Sequence, residues 1–303
     1  AIKNFKHARI GMVGARPNDF EVCAVNEALM INRFMQKIIH IDLIDLKNDM
    51  DSIPDNNHVI TAITDEIIAS SKCSYSSKGL NKVAKLEIQL LNYIKEHKLD
   101  TVAIQCWTSI QKYIGVTPCL TNGRITGFGF PVSCEGDINN SLAMLIQQKL
   151  TFDKKIPMLL DILALHPEEK NLMLLWHCGN VSADNVNDDE IARVMPQCPW
   201  ENEFGKEKAA ASIEFLIKSG PVTVNSLVEH NGKYKCLSFN GELIKKQNNI
   251  RGAYSWIEVK NRDEIYSAIV NEGFTHHASV IHSDLGRQIS DFCSYLDIEY
   301  ISL

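Results

Sequence analysis

The first half of the chain alternates short apolar runs with longer stretches of helical periodicity, and this restricts its folding more than any other feature. "ARIGMVG" (8–14) reads as a buried strand ending in glycine. Residues 20–36 follow with Val22, Val25, Leu29, Phe34 and Met35 at near-helical spacing, and "IIHIDLIDL" (38–46) predicts a second strand. "GLNKVAKLEIQLLNYIKEHKLD" (79–100) puts Leu80, Val83, Leu86, Leu90 and Ile94 on one stripe of an amphipathic helix. "TVAIQCW" (101–107) predicts the next strand, a helical stretch follows, and "GFPVSCE" predicts another strand. Such alternation implies a parallel sheet with helices on both faces. Sheets of this kind keep their chemistry at the carboxyl ends of the strands.

The second half has a different texture. "KIPMLLDILAL" (155–165) and "NLMLLWHCGN" (171–180) predict adjacent strands joined by "HPEEK". Residues 219–259 hold further short strands, one pair joined by "HNGK" with a hairpin-forming Asn-Gly. The chain then returns to α/β: a helix near 262–271, the run "HHASVIH", a helix near 284–295 and a last strand "IEYISL". The expected architecture is α/β. A parallel-sheet, Rossmann-like domain spans 1–153, and a mixed α/β domain with an antiparallel, barrel-like part spans 154–303.

With 303 residues and 45% hydrophobic content the chain can bury a large core, and a net charge of −6 argues against nucleic acid or anionic membrane as partners. The nine cysteines are odd in number and form no C-x-x-C pair, which reads as free thiols in a reducing compartment. No signal-peptide core or membrane-spanning run is evident, so a cytoplasmic location is expected.

"GMVGARP" (11–17) lacks the third glycine of a dinucleotide fingerprint, and a plain strand-to-helix turn explains it better than a phosphate loop. Four groups stand at predicted strand ends or inside apolar runs: Glu135 in "FPVSCEGD", Asp161 in "PMLLDILAL", His177 in "LMLLWHCG", and the pair His276–His277 in "GFTHHASV". Two carboxylates and imidazoles suit a divalent ion of the Mn²⁺, Fe²⁺, Co²⁺ or Zn²⁺ type, oxygen-rich ligation favouring Mn²⁺. Taken singly, each has an equally ordinary structural explanation, and their spacing matches no short metal signature. For Trp107 and Trp176 buried packing is the plainer reading. There is no G-x-S-x-G elbow, and Cys178 beside His177 points to the opposite face of a strand rather than forming a dyad.

Taken in order, these segments resemble the L-fucose isomerase and L-arabinose isomerase superfamily. "SCEGDINNSLAML" is similar to its acidic E-x-D motif, "MLLDIL" to its second carboxylate, "NLMLLWHCGN" to a histidine of the arabinose branch, and "THHASVIHSDLGRQISDFCSYLDIEYI" to its C-terminal histidine segment. The resemblance is strongest over 100–180 and 270–303. It implies a metal-dependent aldose–ketose isomerase working through an enediolate, with Mn²⁺ the expected cation and a small sugar the expected substrate. Glu135 and Asp161 are implied to be both ligands and acid/base groups, His277 a ligand and His177 a further ligand; with a sugar as substrate, Trp107 and Trp176, as faces to stack on it, and His276 are candidate substrate contacts. It also implies a homo-oligomer, and residues 1–153 as the second N-terminal domain of such enzymes. Their first N-terminal domain has no counterpart here, and a non-catalytic sugar-binding relative on the same scaffold is the alternative reading.

Overall fold

The structure, a computed structural model, describes residues 1–303. β1 (Arg9–Val13) is buried at every position but its first, as a central strand flanked on both sides must be. It pairs in parallel with β2 (Lys37–Ile41) and with β4 (Thr101–Ile104), which in turn takes β5 (Val132–Ser133), giving the order β2-β1-β4-β5. β3 (Lys72–Cys73) leaves this layer and pairs with a strand of the second half.

Two predicted elements are shorter than their apolar patterns suggested. The run 38–46 is not one strand: it ends at Ile41, and Asp42 opens a helix, Leu43–Ser52. Leu46 and Met50, four residues apart, bury on one face of that helix, so a helical period takes over where alternation and helicity could both be read. Residues 20–36 are helical only over Glu27–Phe34. There Asn26 caps the first turn by accepting the Leu29 N–H at 3.0 Å, and Val22, counted as a core position, is exposed. The amphipathic stretch forms the helix Asn81–His97, burying Val83, Leu86, Leu90 and Ile94. A helix at His58–Ser70 had no counterpart in the sequence reading.

The second half supplies β6 (Met158–Leu165), β7 (Leu172–His177), β8 (Arg193–Met195), β9 (Ser212–Leu216), β10 (Gly220–His230), β11 (Lys233–Ile244), β12 (Ala253–Glu258), β13 (His277–Ile281) and β14 (Glu299–Ser302). Six of these close on themselves. The antiparallel pairs run β11-β10-β13-β6-β7-β12, and β12 pairs back to β11. Closure leaves these strands without a free edge. The β10–β11 hairpin turns at Asn231 and Gly232, both left-handed, as the Asn-Gly pair requires.

One helix, Ile138–Leu150, joins the two layers. Every residue from Ile138 to Gln148 is buried. Ile138, Leu142, Leu145 and Ile146 share one apolar cluster with Ile10 and Ala103 of the parallel sheet and with Leu227 and Ile281 of the barrel. A helix buried all round must satisfy its polar side chains internally. Gln147 does so: its Nε2 donates to the carbonyls of Thr223 (3.0 Å) and Ser279 (3.2 Å), and its Oε1 accepts from the Ser279 hydroxyl at 2.7 Å. The last turns of this helix are thereby fixed against β10 and β13. No helix is long and apolar enough to cross a membrane.

Candidate metal centre

Glu135 follows β5 directly and has a φ of +53°, with Gly136 at +66°. Two consecutive left-handed residues turn the chain sharply between strand and helix, and a non-glycine residue there costs on the order of 1 kcal/mol. The glycine between the two acids is required sterically as well. A Cβ at position 136 would lie 2.7 Å from Met12 Cε and 3.3 Å from Arg16 Cα. Gly136→Ala should therefore lower stability by about 1–3 kcal/mol, measured by urea unfolding, because strain and overpacking add.

Asp137 serves two elements at once. Its Oδ1 accepts the Asn140 N–H at 2.9 Å and so caps the helix Ile138–Leu150. Its Oδ2 accepts from His277 Nδ1 at 2.7 Å. A carboxylate can only accept, so Nδ1 carries a proton, and in the neutral form of the ring Nε2 has its lone pair free. Cys23 Sγ lies 3.9 Å from the same Nδ1.

The barrel brings the second carboxylate to the other side of that ring. In the β13–β6 register, His277 lies directly opposite Asp161, which places their side chains on one face. His277 Nε2 is 3.8 Å from Asp161 Oδ1 and 3.3 Å from Glu135 Oε2. His177, at the end of β7, has its Nε2 3.9 Å from the same Glu135 oxygen. His276 Nε2 reaches to 4.0 Å from Asp161 Oδ1 and stays half-exposed. Asp161, His276 and His277 can each offer a ligand atom within 4.8 Å of the others.

The two oxygens of Glu135 have different surroundings. Oε1 accepts from the Trp107 indole at 3.0 Å and the Cys106 thiol at 3.5 Å. Oε2 is buried and no hydrogen bond reaches it, despite the nearby imidazole. Asp161 Oδ1 and His177 Nδ1 are buried and unsatisfied in the same way. Buried carboxylate oxygens without donors are costly, and a cation is the group that satisfies them. The orphaned oxygens of Glu135 and Asp161 and the free Nε2 of His277 make an O,O,N donor set of the kind divalent first-row ions take, and a histidine backed by a carboxylate is the usual ligand support. The residues fit such an ion.

Electrostatics separates the two acids. Burial would push the Glu135 carboxyl up, but the His277 imidazole 3.3 Å away, with His177 and Trp107 adding, takes it down to about 2. Asp161 is pushed up to about 7 by burial, His277 pulling it down and the Glu135 charge raising it further. Burial also takes His177 down to about 4, which leaves it neutral. His277 goes well above its ordinary value: burial opposes this, and the bond to Asp137, with the Cys23 thiol and the Glu135 carboxylate close by, outweighs it.

Glu135, Asp161, His177, His276 and His277 are thus brought together, and Trp107 joins them through Glu135. Trp107 is 37% exposed and packs against Phe20 and Trp200 at ring-centroid distances of 5.6 and 4.8 Å. Trp176 is directed elsewhere: its indole donates to the Arg251 carbonyl at 2.6 Å while its ring stacks on His177. Asp137 and Cys106 were not picked out from the sequence as site residues. An aspartate immediately before an apolar helix signals a cap, but nothing local signals its second bond.

Comparison with known proteins bears on the second half most directly. The domain family described as L-fucose isomerase, C-terminal domain, matches residues 175–303. The sulfoquinovose isomerases of Priestia aryabhattai and Priestia megaterium are each 23% identical to the chain over 98% of its length. That of Alkalicoccus urumqiensis is 23% identical over 100% of it. Residues 175–303 are thus similar to the C-terminal domain of L-fucose isomerase, and the chain as a whole is similar to the sulfoquinovose isomerases. It spans 65% of the length of the Priestia relatives and 66% of the Alkalicoccus one.

Proposed function

We propose that this protein is a divalent-cation-dependent aldose–ketose isomerase, with Glu135, Asp161 and His277 holding the cation and His177 beside them. The observation that carries this reading is the convergence of two orphaned carboxylate oxygens on the free nitrogen of one histidine, from three segments distant in the chain. The relatives' name extends the proposal to the substrate: a hexose bearing a sulfonate.

Moving a carbonyl from C1 to C2 removes a proton from C2, returns one to C1, and transfers one between O1 and O2. A bound divalent cation, Mn²⁺ being our choice, supplies Lewis-acid polarisation of the carbonyl and charge for the developing oxyanion. The chain's own groups do the rest. Glu135 and Asp161 flank His277 and are of the class that takes and returns a proton through an enediolate. Trp107 and Cys106 hold Oε1 of Glu135, so that Oε2 alone faces the site. His276, half-exposed beside Asp161, is placed to meet a sugar hydroxyl. The exposed edge of Trp107 offers an apolar face to the sugar ring.

The test is metal analysis of the purified chain, followed by a Mn²⁺-supplemented screen of aldoses, a sulfonated hexose among them, for ketose formation. Turnover by the wild type and a loss of at least about 10³-fold in Glu135→Gln with the fold intact is the expected result. Full turnover in Glu135→Gln, or no cation dependence, would overturn the proposal.

A further inference from the structure

Glu135 also belongs to a second set of metal-ligating atoms, whose two thiols the isomerase reading does not take as ligands. Cys106 Sγ, Cys134 Sγ and a Glu135 carboxylate oxygen all lie within 4.8 Å of one another, and all three residues are buried. Tetrahedral zinc with a Zn–S bond of about 2.3 Å and a Zn–O bond of about 2.0 Å separates sulfur from oxygen by about 3.5 Å. Cys106 Sγ and Glu135 Oε1 stand 3.5 Å apart.

N–H donors are directed at both sulfurs. Cys134 Sγ receives the side-chain amides of Asn122 at 3.4 Å and Asn180 at 3.3 Å, and Cys106 Sγ receives the Glu135 backbone N–H at 3.4 Å. N–H groups aimed at a metal-bound thiolate are the usual outer support of such a ligand. Both asparagines are themselves buried, with their Oδ1 atoms unpartnered, so these side chains are held in place without a second bond of their own.

We propose that Cys106, Cys134 and Glu135 Oε1 form a second divalent-ion site, selective for soft or borderline cations such as Zn²⁺ and Cd²⁺. Two thiols and one carboxylate distinguish it from the oxygen-rich set around His277, because thiolate selects soft ions and carboxylate hard ones. Binding releases the thiol protons to solvent and leaves Glu135 Oε2 still facing the first site. The three ligands leave a fourth tetrahedral position open. The site shares Glu135 with the isomerase reading but takes that carboxylate's other oxygen, and its test involves no sugar.

The experiment uses the full chain, reduced and stripped of metal. Titration with Cd²⁺ should produce a thiolate-to-metal charge-transfer band, and X-ray absorption of the Zn²⁺-loaded wild type should show two sulfurs at about 2.3 Å with lighter ligands beside them. Cys134→Ser and Cys106→Ser should each reduce the sulfur count and weaken binding at least tenfold. Cys198→Ser, at an exposed thiol, should change neither. A first shell of oxygen and nitrogen alone in the wild type would overturn the proposal whatever the variants do. So would a band that survives both buried substitutions, or one lost in Cys198→Ser. Because isomerisation is not measured, failure here leaves the proposed activity untouched, and failure of the activity leaves this site standing.

Discussion

Asp161→Asn is expected to abolish isomerisation and, in protein stripped of divalent ions, to raise the melting temperature by several degrees. The side chain sits in a barrel strand with Oδ1 buried and unsatisfied, close to a second buried acid. Burial holds its carboxyl up at about 7 in the folded protein against 3.8 in the free group. A raised acid binds more protons folded than unfolded. Its ionisation therefore costs nothing below about pH 4, a growing amount between pH 4 and 7, and its full amount above that. Asparagine keeps the shape without the charge, so the gain should be absent in acid and reach about 2–4 kcal/mol above neutrality. Adding Mn²⁺ should reverse the order, because the wild type alone gains stability from binding. Calorimetry at several pH values, with chelator and with Mn²⁺, reads all of this. An Asp161→Asn protein no more stable than wild type in chelator at pH 8 would show that the carboxylate has a partner other than a cation.

The second large effect concerns a residue that touches no cation in this scheme. Asp137 divides its oxygens, one for the helix cap and one for His277. Asparagine is as good a cap as aspartate but has a single oxygen. In Asp137→Asn that oxygen stays with the Asn140 N–H, and the amide NH₂ turns toward Nδ1. His277 then carries its proton on Nε2, the wrong nitrogen for a ligand. Cation affinity should fall 10- to 100-fold at nearly unchanged stability. Asp137→Ala should add a stability loss of about 1 kcal/mol from the missing cap. Isothermal titration with Mn²⁺ and urea unfolding separate the two roles. Equal Mn²⁺ affinity in wild type and Asp137→Asn would remove the carboxylate's claim to orient the ring.

What could be read from the sequence divides along a physical line. The barrel strands were legible because alternation and the Asn-Gly turn are local signals, and the helix Asn81–His97 because its stripe is long. The run 38–46 was misread because "IDLIDL" fits both a period of two and a period near four. Burial of Leu46 and Met50 against distant residues decides between them. At the centre, Glu135, Asp161 and His277 stand out as charges beside apolar strands. Which oxygen of Glu135 is free depends on Trp107 and Cys106, about 28 residues earlier and across the parallel sheet. No spacing rule encodes that. The exposure of Trp107 and the diversion of Trp176 to the Arg251 carbonyl are likewise decided by neighbours remote in the chain.

The helix sealed between sheet and barrel ties the fates of both halves together. Its amide protons can reach solvent only when neither half covers it, so they should be among the last to exchange with deuterium. Peeling the barrel away would strip Gln147 of its carbonyl partners and expose Leu142 and Ile146 to water. A hinge opening between the halves would have to break these contacts, whereas Trp107 and His276 already meet solvent beside the site.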